Sequence, residues 1–576
     1  MSPRSPVLLG IFDGHNASAG VYVENRVVSL VQEERLVRVK NHYGLPEQAA
    51  VEALRLAGVT AAEVDRVCCA SRYVSRPQGP SWATASFEAR YRGGVAHTVR
   101  QRISGTGAYR QRRARQRMAE RASAIGAWGY APDKVTFTDH HETHAATAYH
   151  GLRHDEEPYL VLTLDGGGDG LSGSVWIGRD GLLECQERIP QADSLGELYA
   201  VTTHLLGFTP LEHEYKLMGM APYAHSERVD SALAPLHQLL RLSDDGLRFE
   251  QAGELSTNFS YEYLRDAFER VRFDTICGAA QRFTEEMLVA WVKACVAKTG
   301  IRKIVAGGGV FMNVKANMLI AALPEVERLY VMPTSGDESL SIGAAMHQFY
   351  TRTGEADHRR SALTDLYFGG EATVREEEQA IAAAGTDLDV RQTDDMPGAV
   401  ADLLAAGEIV ANCRGRMEWG ARSLGNRSIL ASADEFGRIG VINRMIKMRD
   451  FWMPFAPSMT DQSSARYFDD PKDLKPWFMT FAYAAKDAGY DHLIAGSHPH
   501  DRTIRPQVVT RRANPDYHAV IEKFEAKTGR GVVLNTSFNL HGEPIVYGPA
   551  DAMRVLLTSG LEHLALNNFI VSKKSV

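Results

Sequence analysis

Cysteine is scarce: six residues among 576, at positions 68, 69, 185, 277, 295 and 413. No two of them form a C-x-x-C pair, so the spacing of a zinc ribbon or a dithiol redox centre is missing. Cys68 and Cys69 stand in the apolar stretch VDRVCCA, where a thiol behaves as a small hydrophobe. The expectation is buried free thiols in a reducing compartment. A long apolar run is also lacking. Nothing approaches the roughly 18 residues of a membrane span. The N-terminal MSPRSPVLLGIFDGHNAS breaks into glycine and polar residues too early for a signal sequence. A cytoplasmic location with no membrane contact is therefore expected. Nor is there an excess of positive charge: 64 Lys and Arg against 71 Asp and Glu leave a net charge of -7. That balance gives no general footprint for nucleic acid.

What is present is ample material for more than one core, with 44% hydrophobic residues in a chain long enough for at least two domains. Three glycine-rich turns follow apolar, strand-like runs. VLLGIFDGHNASAGVYV (7–23) and YLVLTLDGGGDGLSGSVWIG (159–178) read as strand, tight turn, strand. KIVAGGGVFMNVKANMLI (303–320) reads as strand, glycine turn, helix. Helical periodicity is expected over 45–58, 140–151 and 276–299. The alternation of strands and helices predicts α/β domains. The polar stretch 353–364 reads as a linker, so the domains are expected at 1–355 and 365–576, the second with strands near 408–415 and 530–539. Residues 89–121 hold ten arginines. They read either as a solvated helical insertion or as a cover for anionic ligands.

Glycine turns let backbone N–H groups approach phosphate oxygens because no Cβ intervenes. Three such turns, with Asp13 and Asp165 in the first two, resemble the actin-like ATPase superfamily, in which two phosphate hairpins and an adenosine turn clasp a nucleotide between related lobes. By that resemblance Asn16 and Gly166, Gly167 and Gly168 lie near phosphates, and Gly307, Gly308, Gly309 and Asn313 near adenosine. In TDHHETHAATAYH (138–150), His140 and His144 are four apart. On a helix both imidazoles then share one face, close enough to hold one metal, while His141 points away. Asp165 and Asp337, the latter in PTSGDESLSIGAA, offer oxygen ligands from turns expected at the same cleft. Such a nitrogen and oxygen set suits Fe(II), Mn(II) or Zn(II).

The motifs FDGHNASA, EERLVRVK (33–40), DHHETHAA, LDGGG, EHEYKLMGMAPYA (212–224), AGGGVFMN and SGDESLSIGAA stand in one order. That order is similar to the nodulation-type O-carbamoyltransferases, which include antibiotic-tailoring members. The same domain resembles the threonylcarbamoyl-transferases of tRNA modification and the hydrogenase-maturation carbamoyltransferases. The resemblance implies a metal, Fe2+ or another divalent ion, held by the H-x-x-x-H pair, with a carbamoyl adenylate beside it. His15, next to Asp13, reads as a general base for an acceptor hydroxyl or as a turn residue. Lys40 and Arg35 could neutralise a leaving adenylate, or pair with Glu33 and Glu34.

Towards the C-terminus lie RGRMEWGARSLGNRSILA (414–431), NRMIKMRDFWMPFAPS (443–458), TIRPQVV (503–509) and VVLNTSFNLHGEP (532–544). Each sets cationic or amide groups beside a turn, and arginine suits phosphate through its planar fork. Lys447 and Arg449 make K-x-R; Ser537 and Asn539 make S-x-N. Together they resemble the YrdC-like fold, which makes acyl adenylates. The match implies that Lys447 and Arg449 hold phosphates or carbamate and that Ser537 and Asn539 orient ATP and its Mg2+. Arg416 and Arg505 are further phosphate candidates. The expected partners are carbamoyl phosphate and a small hydroxyl acceptor, with no nucleic acid, in a monomer or homodimer. Two rival readings are an actin-like kinase with a regulatory C-terminal domain and a tRNA-modifying threonylcarbamoyl enzyme.

Overall fold

The structure, a computed structural model, describes residues 5–73, 107–353, 362–385 and 387–574. The chain divides into two compact units: Met1–Glu33 with His42–Ala362, and Glu34–Asn41 with Leu363–Val576. Residues 89–106 of the arginine-rich stretch and 354–361 of the expected linker lie outside the described residues.

In the first unit, the first glycine turn joins β1 (Leu8–Phe12) to β2 (Ser18–Val23), and a turn through Glu24 and Asn25 leads to β3 (Arg26–Gln32). With β4 (Arg66–Ala70) and β5 (Val135–Thr138) the sheet order is β3-β2-β1-β4-β5. The first three strands are antiparallel, and β4 and β5 continue parallel to β1. The second sheet repeats this plan. β6 (Tyr159–Gly168), β7 (Leu171–Arg179) and β8 (Leu182–Pro190) form an antiparallel meander. After a small hairpin, β9 (Leu240–Leu242) and β10 (Phe249–Gln251), come β11 (Lys303–Gly307) and β12 (Arg328–Val331), parallel to β6. The order is β12-β11-β6-β7-β8. Two sheets of one topology make the duplicated, actin-like architecture that the glycine turns predict. Every residue of β1 is buried, and so are the first seven of β6, because both faces of these central strands are covered.

Two helices lie between the sheets. In His140–Leu152 every residue except Glu142 is buried. Tyr149 of that helix accepts a hydrogen bond at its hydroxyl from Gly181 N, 3.2 Å away at the β7–β8 turn. Thr147 Oγ1 donates at 3.3 Å to Ser339 O, at the start of the helix Leu340–Thr353. Ser18 Oγ on β2 in turn donates to Glu338 O at 2.8 Å. The N-terminal ends of both helices thus fall where β1 and β6 end, and these ends carry Asp13 and Asp165. The other expected helices run Glu47–Ala57 and Phe273–Thr299, and the third glycine turn leads through Gly309–Met312 into the helix Val314–Ala322.

The second unit is an α/β domain on an eight-stranded mixed sheet. Its strands are β13 (Leu388–Gln392), β14 (Val410–Cys413), β15 (Arg427–Ser432), β16 (Ala456–Thr460), β19 (Gln507–Val509), β20 (Val532–Ser537), β21 (His563–Ala565) and β22 (Phe569–Lys573). A short β17 (Tyr483–Ala484) and β18 (Thr503–Ile504) pair apart from it. The order is β13-β22-β21-β14-β15-β20-β16-β19. The helices Met396–Ala405 and Pro515–Thr528 seal one face, packing Val400, Leu404 and Phe524 against Val410, Leu430 and Val533. Five of the six cysteines are buried and Cys185 is half-buried; all six are free. No described helix is long and apolar enough to cross a membrane.

Candidate active site

Asp139 caps the His140–Leu152 helix, its carboxylate accepting from His141 N at 3.1 Å, which fixes the register of the first turn. His140 and His144 then project from one face. His140 Nε2 lies 2.7 Å from Asp165 Oδ2 and 3.7 Å from Asp337 Oδ1. His144 Nε2 lies 3.3 Å from Asp165 Oδ2 and 3.5 Å from Asp337 Oδ1. One ligand atom from each of the four falls within 4.8 Å of the others. Burial opposes a charge on His140, yet Asp165 and Asp337 overcome it and push the imidazole up to about 10. His144 is raised in the same way. Against burial, the imidazoles hold Asp165 well below the usual carboxylate range and lower Asp337. His144 Nδ1 and Nε2 and Asp165 Oδ1 are buried without a hydrogen-bond partner. Such a cluster stabilises added positive charge, and the donor set fits a divalent ion.

The first hairpin closes in from the other sheet. Phe12 sets its ring edge-on to His140, with centroids 6.3 Å apart. Asp13 is buried and pairs with Arg121, whose Nη2 also donates to Ala70 O at 2.9 Å. Burial raises the Asp13 carboxyl against the pull of Arg121. His15 forms a β-bridge with Tyr43. Burial raises the Tyr43 phenol, and the charges of Asp13 and Asp337 act in the same direction. Asn16 takes the left-handed conformation at φ 63°, which asparagine tolerates. In the second turn, Ser194 Oγ donates to Gly166 O at 2.9 Å, and Gly167 carries a φ of 148°. The His140 ring packs directly on Gly168, where any Cβ would collide with it. In the third turn, Gly308 has a φ of 98° and abuts Leu164 O of β6. Asn313 caps the Val314–Ala322 helix through Ala316 N at 3.1 Å and exchanges amide hydrogen bonds with Gln281 at 2.9 and 3.0 Å.

The second unit holds a cationic pocket. The segment Asn443–Lys447 winds as a π-helix, an arrangement frequent at functional sites, and Met448 follows in the left-handed region. This turn buries Lys447 against the end of β20. Its ammonium donates to Ser537 Oγ at 3.0 Å and Asn539 Oδ1 at 2.7 Å. No described carboxylate pairs with it. Burial lowers Lys447 well below its usual value, and the charges of Arg449 and Lys40 lower it further. Arg505 is lowered in turn by burial and by Arg422 and Arg449. Five cations thus bear on one another, an arrangement that phosphate oxygens relieve.

The sequence matches the family model of the carbamoyltransferase N-terminus over residues 8–346 and that of the carbamoyltransferase C-terminus over 401–573. The chain belongs to the carbamoyltransferase family. It is 28% identical over 97% of its length to the nodulation protein NolNO of Sinorhizobium fredii, covering 79% of that protein. An uncharacterised protein of Methanocaldococcus jannaschii is 30% identical over 98% of the chain and 100% of its own length. The 3'-hydroxymethylcephem-O-carbamoyltransferase of Streptomyces clavuligerus is 29% identical over 43% of the chain and 44% of that enzyme. The protein is therefore an enzyme that transfers carbamoyl groups, with a carbamoyl donor and a small-molecule acceptor as its substrates.

In this carbamoyltransferase the structure draws His140, His144, Asp165 and Asp337 together, with Gly168 and Phe12 against His140, and it draws Lys447, Ser537 and Asn539 together in the other unit. Two expectations need correction. His141 does not point away: its Nε2 lies 3.3 Å from Asp165 Oδ1, and its Nδ1 is 2.9 Å from Thr163 Oγ1. Asp165 reaches it because one carboxylate oxygen serves the His140 face and the other serves the adjacent residue. Lys40, expected in the first domain, belongs to the second unit with the rest of Glu34–Asn41. Arg416 donates to the carbonyls of Gly369 and Phe368, at 3.2 and 3.0 Å. Arg121 and Arg422 were not singled out by sequence reasoning. Arg121 ends the arginine-rich run in RASAIG, and those flanking small and apolar residues are the signal of a buried arginine.

Proposed function

We propose that this carbamoyltransferase uses ATP and carbamoyl phosphate to carbamoylate a hydroxyl of a small molecule, in two steps carried by its two units. The observation that carries the reading is buried Lys447, partnered by Ser537 and Asn539, under the charges of Arg449 and Lys40 and met by no described carboxylate. Such a pocket suits polyphosphate with its Mg2+. It fits the YrdC-like chemistry that K-x-R and S-x-N imply. Water there cleaves the P–O bond of carbamoyl phosphate to give phosphate and carbamate, and a carbamate oxygen attacks the α-phosphorus of ATP. Pyrophosphate leaves, and carbamoyl adenylate remains.

The second step belongs to the first unit. His140, His144, Asp165 and Asp337 would hold a divalent ion such as Fe2+. Bound there, the ion supplies positive charge to the phosphate of the adenylate. The glycine turns at Gly166–Gly168 and Gly308 bring backbone N–H groups to the nucleotide. His15 takes the proton of the acceptor hydroxyl, whose oxygen attacks the carbamoyl carbon, and AMP departs. An aminoglycoside or other sugar hydroxyl is the acceptor class this reading favours. The test is incubation of the enzyme with ATP, carbamoyl phosphate and candidate alcohols. A gain of one carbamoyl group in mass, accompanied by AMP and pyrophosphate, is expected. ADP as the nucleotide product would instead support a kinase or ATPase.

A further inference from the structure

Behind the His140 and His144 cluster, helix and sheet meet through a chain of hydroxyls. Residues two apart on a strand share a face, so Thr163 and Asp165 of β6 point one way. Ser174 and Trp176 of β7 lie on the same side, with Ser174 directly opposite Thr163. The His140–Leu152 helix covers this face: its Tyr149 ring packs on Gly178, two residues beyond Trp176. Trp176 Nε1 donates to Ser174 Oγ at 2.6 Å. Ser174 Oγ is 2.6 Å from Thr163 Oγ1, and that oxygen is 2.9 Å from His141 Nδ1. All four side chains are buried.

The donors fix the direction of this chain. An indole N–H only donates, whereas a hydroxyl has one proton to give. Ser174 Oγ accepts from Trp176, and the Thr163 hydroxyl is its other hydrogen-bond partner among the described residues. Ser174 therefore spends its proton on Thr163, and Thr163 spends its own on His141 Nδ1. The reverse order would bury the Ser174 proton without an acceptor, which costs more than any bond it saves. With Nδ1 accepting, the proton of the neutral ring sits on Nε2. That nitrogen lies 3.3 Å from Asp165 Oδ1, and neither atom has a hydrogen-bond partner elsewhere among the described residues. Asp165 Oδ2 faces His140 and His144 instead, at 2.7 and 3.3 Å.

We infer that His141 is a positioning residue of the first site: the Trp176–Ser174–Thr163 chain sets its tautomer, and its Nε2–H turns Asp165 so that Oδ1 is occupied and Oδ2 is left to a divalent ion. This rests on the reading of His140, His144, Asp165 and Asp337 as a metal site. A carboxylate held at one oxygen by an outer partner offers the other in a fixed orientation. Thr163 and Ser174 reach the ion only through His141.

The test is the affinity of the metal-free, full-length protein for Fe2+ and for Zn2+, measured by competition with a chelator. Loss of an outer partner costs roughly ten- to a hundredfold in metal affinity. Thr163→Val, which keeps the shape of the side chain and removes its hydroxyl, should show that loss, and Thr163→Ser should hold wild-type affinity. His141→Ala should weaken binding at least as much, and adding Thr163→Val to it should cost nothing further. Unchanged affinity in Thr163→Val, with only a lowered thermal midpoint, would overturn the inference and leave the metal reading intact. An equal loss from Thr163→Val with and without His141 would also overturn it. Failure of the wild-type protein to bind either ion would overturn the reading beneath it.

Discussion

At the scale of single residues the account turns on charges that burial has made costly. Arg121 and Asp13 are each about 2% exposed at the side chain, so neither charge has solvent to fall back on. Removing one member of a buried pair leaves the other uncompensated, typically at about 3–5 kcal/mol. Arg121→Met should therefore lower stability by that order in equilibrium denaturation, and adding Asp13→Asn should restore part of the loss. Gly168→Val tests a steric demand. Its side chain would enter the His140 ring, so metal content measured by elemental analysis should fall while the fold persists. The His140, His144, Asp165 and Asp337 set was legible in the sequence, because a helix fixes the four-residue spacing and each acid sits in a recognisable turn. His141 was not, because helical spacing describes one face and says nothing of a carboxylate whose two oxygens serve two faces. Lys40 falls in the second unit with the rest of Glu34–Asn41, although its chain neighbours on both sides belong to the first, and nothing in the local sequence signals that exchange.

At the scale of elements, the His140–Leu152 helix is the main support of the first site, and its register depends on Asp139. Asp139→Ala removes an N-cap, worth about 1 kcal/mol, and should both lower the thermal midpoint and weaken metal binding. The helix Glu214–Met220 makes a separate prediction. Burial pushes the Glu214 carboxyl up to about 7, against the hydrogen bond it accepts from Leu211 N. The folded protein then binds more protons at this position than the unfolded chain does between the ordinary glutamate range and neutrality. Stability should fall as pH rises through that window. Thermal midpoints from pH 4.5 to 8 should show a smaller decline for Glu214→Gln than for wild type. The three glycine turns, the long helices and the α/β class were all readable from apolar runs broken by glycine. The eight-strand order of the second unit was not, because its strands are short and their pairing is set by contacts distant in sequence, such as β15 with β20.

At the scale of the whole molecule, one chain carries two dissimilar clusters, one of imidazoles and carboxylates and one around the buried ammonium of Lys447, which the proposed function reads as two sites. A single-step carbamoyl transfer has no use for both, whereas an activation followed by a transfer uses each once. The chemistry can therefore be divided by mutation. The most direct measurement is pyrophosphate release and acceptor carbamoylation, followed side by side in His140→Ala and Lys447→Ala with ATP and carbamoyl phosphate present. The account predicts that His140→Ala still releases pyrophosphate near the wild-type rate while carbamoylating nothing, and that Lys447→Ala does neither. Equal loss of pyrophosphate release in both variants would contradict it.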